Sequence, residues 1–444
     1  MSNPIPASDP LIDPLEILQR LIRFDTTNPP GNEAACIAYV RDLLEGYGIE
    51  SSVFESQPGR ANLVSRIKGR GIAPPLLLYG HVDVVTIDGQ VWDQPPFEAN
   101  IVNGLIWGRG TLDMKGAVAM MLAAYIKASS ADPAPPGDIL LAILADEEAG
   151  GDLGARYLVE THPGLFDGVR HALGEVGGST LHFDGRRYYP IQIAEKQLCW
   201  MKATIRGPGG HGAQPMRGGT MARLGQFLSS LDQNRLPVHI TNVTKQMVEQ
   251  IASSMPTSSG IDLTVLLDPA HTDSILSGLG EIGLLLEPLL HNTANATIVN
   301  GGSKVNVIPS TVEVELDGRL LPGFTPEVFI GELKEIVGDD IDFEIVRYDP
   351  TPAEPDMSMF DMLGDILAEA DPGSIPIPLL LAGVTDARLF SKLGIQTYGF
   401  TPMKLPEDFE RIGLVHAANE RVPVDAIEFG VQAIYQAIQR YHPL

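Results

Sequence analysis

The chain has 444 residues, 44% of them hydrophobic, which is enough to bury a large core in two or three domains. Its formal net charge of −25 argues against nucleic acid and anionic membranes as partners, because both require a positive surface. The two cysteines, Cys36 and Cys199, have no paired spacing, which favours a reducing compartment. Met1 to Pro14 lacks the basic and apolar regions of a secretory signal. We therefore expect a cytoplasmic protein.

The first part of the chain alternates helical and strand patterns. Apolar residues recur with helical spacing over 14–24, 33–47 and 117–127. Short apolar runs predict strands at 61–67, 76–80 and 139–145. Because strands that alternate with helices form parallel sheets, we expect an α/β fold whose central strands are covered on both faces.

The pattern changes near residue 196 and changes back after residue 355. The middle segment predicts strands at 197–205, 297–308, 311–321 and 342–348, helices at 220–231 and 326–337, and a mostly helical addition at 241–292. A helix at 356–370, a strand at 395–400 and a helix at 424–441 follow. We therefore predict a discontinuous catalytic domain at 1–195 and 349–444, with a mixed, mostly parallel sheet between helices. A two-layer α+β domain at 196–348 is inserted into it.

Acidic and imidazole side chains follow several of the predicted strands. They are His81 and Asp83 after 76–80, Asp146, Glu147 and Glu148 after 139–145, Glu175 after Val169–Leu173, Asp113 in a glycine-rich turn, and His416 before the last helix. Three adjacent acids repel one another unless a proton or a cation intervenes. In a metal site, one glutamate can bind the ion while its neighbour serves as general base. A solvated loop cap is the structural alternative for the three acids.

Other kinds of site fit these segments less well. The glycine-rich turn Gly108–Gly116 contains neither the P-loop pattern nor the dinucleotide-binding pattern, which argues against a phosphate loop. A structural zinc site would more often use cysteines in short pairs. His81 and Asp83 are two residues apart, so on extended backbone their side chains point to the same side. One side chain can then bind a metal ion while the other orients a ligand or the catalytic base. The alternative is a polar strand end without such a role.

Taken together, these segments resemble the di-zinc metallopeptidase and deacylase family. It includes aminoacylase, acetylornithine deacetylase, succinyl-diaminopimelate desuccinylase and carboxypeptidase G. The matching stretches, in family order, are YGHVDVV, GRGTLDMKGA, LADEEAGG, GEVGG, GPGGHGAQP, GGSKVNVIPSTVEVELDGR and HAANERVP. They span nearly the whole chain, so the resemblance covers both predicted domains.

The resemblance implies two zinc ions, with cobalt or manganese as possible substitutes. Asp113 would bridge the ions, His81 and Glu175 would complete one site, and Glu148 and His416 the other. It also implies a cis peptide bond after Asp113.

The remaining roles also come from the resemblance. Glu147 would be the general base, and Asp83 would hold the His81 imidazole. His211 would reach the active site of a partner subunit in a homodimer and stabilise the developing oxyanion. A purely structural histidine in a glycine loop is the alternative for His211.

Substrate contacts are expected in the inserted domain and in the GVTDAR loop. Asn306 and Arg319 match substrate-contacting positions, and the arginine fork suits a carboxylate because it can bind both oxygens. A salt bridge at the strand end is the alternative for Arg319. Gly383 and Thr385 lie in the loop that would face the carboxylate.

The resemblance therefore implies a zinc-dependent hydrolase that cleaves an amide or peptide bond next to a free carboxylate. The substrate would be an N-acyl amino acid or a small peptide. Di- or tripeptidase and carboxypeptidase specificities stay open, and so does a non-catalytic binding relative, although the presence of Glu147 argues against it. The chain departs from the family at Thr86 and Ala417, where proline and glycine are common. Its segment 411–415 looks longer than usual, which puts loop shape and specificity in question.

Overall fold

The computed structural model describes residues 12–255 and 262–442, so most of the N-terminal segment considered above lies outside it. The described residues form two compact units. The first unit takes its residues from Met1–Ile193, Asp356–Ile377 and Leu389–Leu444, and the second from Ala194–Pro355 and Pro378–Arg388. The domain boundaries expected from the sequence stay a prediction, because compactness alone does not define an independently folding domain. Within the described ranges, no helix is long and apolar enough to cross a membrane.

The elements are numbered in chain order. The strands are β1 (Ser51–Gln57), β2 (Arg60–Ile67), β3 (Leu76–His81), β4 (Ile101–Val102), β5 (Leu105–Trp107), β6 (Ile139–Leu144), β7 (His171–Gly174), β8 (Leu181–Phe183), β9 (Arg186–Glu195), β10 (Gln197–Arg206), β11 (Gly210–His211), β12 (Thr293–Gly301), β13 (Val307–Ile308), β14 (Thr311–Leu320), β15 (Asp342–Asp349), β16 (Ile375–Leu381), β17 (Gln396–Gly399) and β18 (Arg421–Pro423). The α-helices are α1 (Pro14–Ile22), α2 (Ala34–Gly46), α3 (Lys115–Ser129), α4 (Ala155–Thr161), α5 (Thr220–Gln233), α6 (Asn242–Ser254), α7 (Thr272–Gly278), α8 (Glu281–Leu286), α9 (Pro326–Val337), α10 (Phe360–Ala370), α11 (Ala387–Phe390), α12 (Arg411–Leu414) and α13 (Val424–Arg440).

The main sheet of the first unit has the strand order β1-β2-β6-β3-β7-β17-β9-β16. Its central strand β3 pairs in parallel with β6 and β7, and β17 pairs in parallel with β7. β1, β2 and β9 pair antiparallel with their neighbours. The predicted α/β fold with a mixed sheet is therefore confirmed. The parallel arrangement brings the carboxyl ends of β3, β6 and β7 to one edge of the sheet.

The core of the first unit covers both faces of this sheet. Every residue of β3 and β6 is buried, as their mostly apolar sequences predict. On one face, Tyr79 and Leu140 pack with Leu158 of α4 and with Phe390. On the other face, α3 packs against β3, and its alanines and methionines are buried along nearly the whole helix. α1 and α13 in turn pack against α3. The sheet edge that carries the acidic residues is thus supported by a rigid core.

The second unit is an α+β unit built on an antiparallel sheet of order β12-β14-β10-β15. Along β14, apolar residues alternate with polar ones, and the apolar set packs on α5 and α9 through Phe227, Phe329 and Leu333. α6, α7 and α8 form the helical addition expected at 241–292, of which residues 256–261 lie outside the description. β11 and β13 form a separate short ribbon.

Two predicted elements differ from the structure. The single strand expected at 297–308 is wrong, because β12 ends at Gly301 and only Val307–Ile308 pairs again, with β11. The chain turns between these strands at Gly302, whose φ of 76° few other residues adopt. The helix expected from residue 356 begins at Phe360. The Asp356 carboxylate accepts a hydrogen bond from the backbone N–H of Ser358 at 2.8 Å, and this turn delays the helix.

Candidate metal centre

The acidic and imidazole side chains that follow neighbouring strands meet at the carboxyl edge of the main sheet. Potential ligand atoms of His81, Asp113 and Glu175 lie within 4.8 Å of one another, and so do those of Asp113, Glu148 and His416. Asp113 belongs to both groups. Two groups of three ligands that share one carboxylate are what two neighbouring metal ions would require.

The distances show which side chains the two oxygens of the Asp113 carboxylate face. His81 Nε2 lies 3.2 Å from Oδ1 of Asp113 and 3.3 Å from Oε2 of Glu175. His416 Nε2 lies 3.1 Å from Oδ2 of Asp113 and 3.3 Å from Oε2 of Glu148. Each oxygen of Asp113 therefore faces a different imidazole, so the carboxylate can serve two ligand groups at once.

The pKa directions in this cluster are compatible with a bound cation. Hydrogen bonds to Asp113 and Glu148 raise the pKa of His416 to about 10. Burial opposes protonation of His81, but hydrogen bonds to its carboxylate neighbours outweigh it and hold the pKa of the imidazole well above its usual value. Burial also raises the pKa of the Glu148 carboxyl. Protons thus balance the carboxylates, and a divalent cation can replace them.

One atom gives an independent test of the fit. Oε1 of Glu148 is buried, and no hydrogen-bond donor among the described residues reaches it. A buried carboxylate oxygen without a partner is costly, so this oxygen fits a metal ligand better than a structural group. The donor set of imidazoles and carboxylates suits zinc as well as cobalt and manganese.

Asp83 organises the neighbourhood of His81. It is fully buried and accepts hydrogen bonds from the Asn28 side chain at 2.9 Å and from the backbone N–H groups of Glu147 and Glu148 at 3.2 and 3.1 Å. Nδ1 of His81 lies 3.0 Å from the Asp83 carbonyl oxygen and 3.5 Å from its carboxylate. Because a carbonyl oxygen only accepts, Nδ1 carries a proton, and the lone pair of Nε2 is left for a metal.

The three adjacent acids have different surroundings. Asp146 has a positive φ of 71°, and its carboxylate accepts hydrogen bonds from Arg60 at 2.7 Å and from the Leu153 backbone at 2.9 Å. Glu148 faces the metal-ligand cluster. Glu147 opens a short 3₁₀ turn and is partly exposed. The buried pair of Asp146 with Arg60, which sequence reasoning missed, fixes the turn that presents the two glutamates.

Glu420 is a second residue that the sequence analysis missed. It is fully buried, and its carboxylate accepts hydrogen bonds from the backbone N–H groups of Gly110, Leu112 and Asp113 at 2.9, 2.7 and 3.1 Å. Arg109 donates to it at 2.8 Å. Glu420 therefore shapes the loop that presents Asp113, and the following peptide bond to Met114 is cis, as the resemblance implied. An acid four residues after His416, inside a matching stretch, was the available signal.

The second unit brings two of the remaining predicted residues together. His211 lies on β11 and is exposed, and the backbone carbonyl of Asn306 accepts a hydrogen bond from the Gly212 N–H at 2.9 Å. The N–H of Ala213 donates to Nδ1 of His211 at 3.1 Å. Nδ1 is therefore the acceptor, and Nε2 of the neutral ring carries the proton.

The other two polar candidates in this unit are already paired. Nε and Nη2 of Arg319 lie 2.7 and 3.0 Å from the two carboxylate oxygens of Asp317, which is the salt bridge of the structural alternative. The backbone N–H and the hydroxyl of Thr385 both donate to Glu195, at 2.9 and 2.7 Å. A Cβ at Gly383 would meet only the Leu381 side chain, at 3.8 Å, so space does not require glycine there. The substrate-binding roles stay predictions.

The fold and the ligand cluster fit a metal-dependent hydrolase. The pattern of peptidase family M20/M25/M40 matches residues 77–440, and the chain belongs to this family. The expected class of activity, hydrolysis of amide or peptide bonds by a metalloenzyme, is thereby confirmed at the level of the family.

Individual relatives cover most of the chain. It is 30% identical over 380 residues to the human N-fatty-acyl-amino acid synthase/hydrolase PM20D1, covering 82% of this chain and 74% of that protein. It is 28% identical to a probable carboxypeptidase S-like protein 2 of Dictyostelium discoideum, covering 82% and 71% of the two chains. The crystal structure of the M20 family metallo-carboxypeptidase Sso-CP2 from Sulfolobus solfataricus superposes with a TM-score of 0.69 at 18% identity. That match covers 97% of this chain and 99% of the other, and it shows the shared fold.

Proposed function

We propose that this protein is a di-metal amidohydrolase that cleaves an N-acyl amino acid into a carboxylic acid and a free amino acid. The observation that carries the proposal is the pair of ligand groups that share Asp113. The relative named as an N-fatty-acyl-amino acid synthase/hydrolase supports this substrate class. We propose zinc as the metal, with cobalt or manganese as substitutes.

Asp113 would contribute to both ion sites, His81 and Glu175 would complete one site, and Glu148 and His416 the other. When bound, two divalent cations lower the pKa of a water molecule and polarise an amide carbonyl. The chain itself supplies the acid–base chemistry and the orientation of the reacting groups.

Glu147 is the proposed general base. It lies next to the proposed ligand Glu148 and is partly exposed, so a substrate and a water molecule can reach it. Its carboxylate takes a proton from the attacking water and delivers it to the nitrogen of the leaving amino acid. Asp83 keeps Glu147 in place by accepting its backbone N–H.

His211 is the proposed oxyanion donor. The Ala213 N–H donates to Nδ1, which leaves Nε2–H as the donor of the ring. Such a donor can stabilise the carbonyl oxygen as it gains negative charge. We propose that a second copy of the chain supplies this histidine.

The surface of the second unit supports a homodimer. β12 is the edge strand of its sheet, and most of its residues are exposed, including Ile298 and Val299 at 48% each. Met221 and Val305 lie beside a nearby cavity of about 400 Å³ and are also exposed. An exposed apolar edge strand invites another strand to pair with it, and a second copy would cover it. We propose a homodimer in the cytoplasm.

The test is a panel of N-acyl amino acids with short and long acyl chains, assayed beside dipeptides with zinc and with cobalt. We expect release of free amino acid from the N-acyl substrates and close to two metal ions per chain. Preferential cleavage of dipeptides would favour a peptidase, for which the carboxypeptidase relative argues. A metal-free protein with full activity would contradict the proposal.

A further inference from the structure

Arg411 is a partly buried cation that forms no salt bridge with the described residues. It begins α12, five residues before His416. Its Nε is buried and has no hydrogen-bond partner. Across residues 12–255 and 262–442, its guanidinium group takes part in no hydrogen bond or salt bridge. Removing a guanidinium nitrogen from water without a partner is costly, so the site favours an anion.

The position of Arg411 links it to the proposed metal cluster. Burial lowers the pKa of its guanidinium, and the acids whose charges oppose this shift are Asp113 and Glu420. Both carboxylates already have other partners. Asp113 faces two imidazoles, and Glu420 accepts three backbone N–H groups and the Arg109 side chain. The charges of both acids therefore reach Arg411, although among the described residues its guanidinium group forms no hydrogen bond with either of them.

The substrate class sets a matching requirement. In an N-acyl amino acid, a single carbon separates the scissile nitrogen from the carboxylate, so the group that binds the carboxylate has to lie close to the metal-ligand cluster. Arg319, the arginine expected from the resemblance, has Nε and Nη2 occupied by Asp317. Arg411 lies in the unit that contains the cluster and has no such partner.

We propose that Arg411 binds the free carboxylate of the substrate and thereby selects N-acyl amino acids over neutral amides. The inference rests on the proposed function and deepens it. A guanidinium group can donate two parallel hydrogen bonds to a carboxylate, which a neutral amide end cannot match. The segment before His416 would then be the element that sets specificity.

The experiment compares Arg411→Gln with the matched variant Arg319→Gln. Each is assayed on the best N-acyl amino acid of the panel and on its carboxamide. Because a hydrogen-bonded charge pair is lost, we expect Arg411→Gln to raise KM for the acid by about tenfold or more. KM for the carboxamide and the metal content should change little. Inhibition by the free amino acid product should weaken to the same extent.

Arg411→Lys keeps the charge and provides a second test if the glutamine variant does not fold. It should raise KM for the acid less than Arg411→Gln does, because an ammonium group lacks the planar fork.

Several results would overturn the inference. Equal effects of Arg411→Gln on the acid and the carboxamide, or loss of metal, would show a structural role. An acid-specific effect of Arg319→Gln alone would assign the carboxylate to Arg319. A wild-type enzyme that cleaves N-acyl amino acids and their carboxamides equally well would refute carboxylate selection while leaving the hydrolase intact. Failure to cleave any N-acyl amino acid would instead refute the proposed function, and the inference with it.

Discussion

At the scale of single residues, three neighbouring acids differ in their roles because they differ in burial and in hydrogen-bond partners. Asp146 pairs with Arg60 and holds a turn, Glu148 lies in the ligand cluster with one buried oxygen unpartnered, and Glu147 stays accessible. The sequence indicated that at least one of them binds metal. Their order along the chain could not show that Asp146 is structural, because Arg60 is 86 positions away.

The assignment of Glu147 leads to the first prediction. Glu147→Gln should lower kcat by about 10²–10⁴, because an amide cannot take a proton from water. The metal content should stay at the wild-type value, since the proposed ligands are intact. Steady-state kinetics with metal analysis by mass spectrometry measures both. Glu148→Gln is the matched control and should lose metal affinity. A Glu147→Gln enzyme with normal kcat would remove the assignment.

The second prediction concerns pH. The pKa of His416 in the metal-free protein is raised from its ordinary 6.5 to about 10, so metal binding must displace a proton at neutral pH. Metal affinity should therefore rise with pH between these values. The stability that protonated His416 gives to the metal-free protein is complete below pH 6.5 and is lost as the pH rises towards 10.

Calorimetry in buffers of different ionisation enthalpy measures the released protons. His416→Gln should release about one proton fewer per chain. Release that is the same in the variant and the wild type would show that this imidazole is not the group that deprotonates.

At the scale of elements, the site depends on loops held by buried carboxylates. Glu420 satisfies three backbone N–H groups of the Asp113 loop, although it lies more than 300 positions away. Helices and central strands such as α9 and β6 follow from local periodicity and agree closely with prediction. Loops such as this one do not, because their shape depends on a partner from a distant part of the chain.

The third prediction tests this support. Glu420→Gln should destabilise the protein by roughly 3–5 kcal/mol, because the amide N–H₂ faces backbone donors and Arg109 loses its counterion. Metal affinity should fall as well, since Asp113 loses its fixed position. Thermal denaturation and metal titration measure the two effects. Glu428→Gln, at an exposed glutamate of α13, is the control and should change neither. Unchanged metal affinity in Glu420→Gln would show that the Asp113 loop holds its shape alone.

At the scale of the whole molecule, the question is whether one chain contains a complete active site. The fourth prediction is that Ile298→Lys on β12 yields a monomer with little activity, because the charge blocks edge pairing and removes the partner's histidine. Light scattering after size-exclusion chromatography measures the mass. Val53→Lys on β1, an exposed position on the edge strand of the other sheet, should leave the mass unchanged.

Mixed dimers give the fifth prediction. His211→Ala and Glu147→Gln should each be inactive alone, and dimers that contain one copy of each should regain activity. One site then combines an intact Glu147 with an intact His211 from the other subunit. Subunits can be mixed by partial denaturation and refolding, with each variant refolded alone as control. Absence of rescue in verified mixed dimers would show that each chain is self-sufficient.

The sequence by itself determined the α/β class, the helical addition and the acids and imidazoles that follow the strands, because periodicity and strand-end chemistry are local. It also indicated the family, through stretches that keep their order along the chain. Only the tertiary structure decided which partners these residues have. It pairs Asp146 with Arg60, supports the Asp113 loop with Glu420 and leaves the buried Nε of Arg411 without a hydrogen-bond partner among the described residues. Such pairings depend on distances between residues far apart in the chain, which local sequence patterns do not encode.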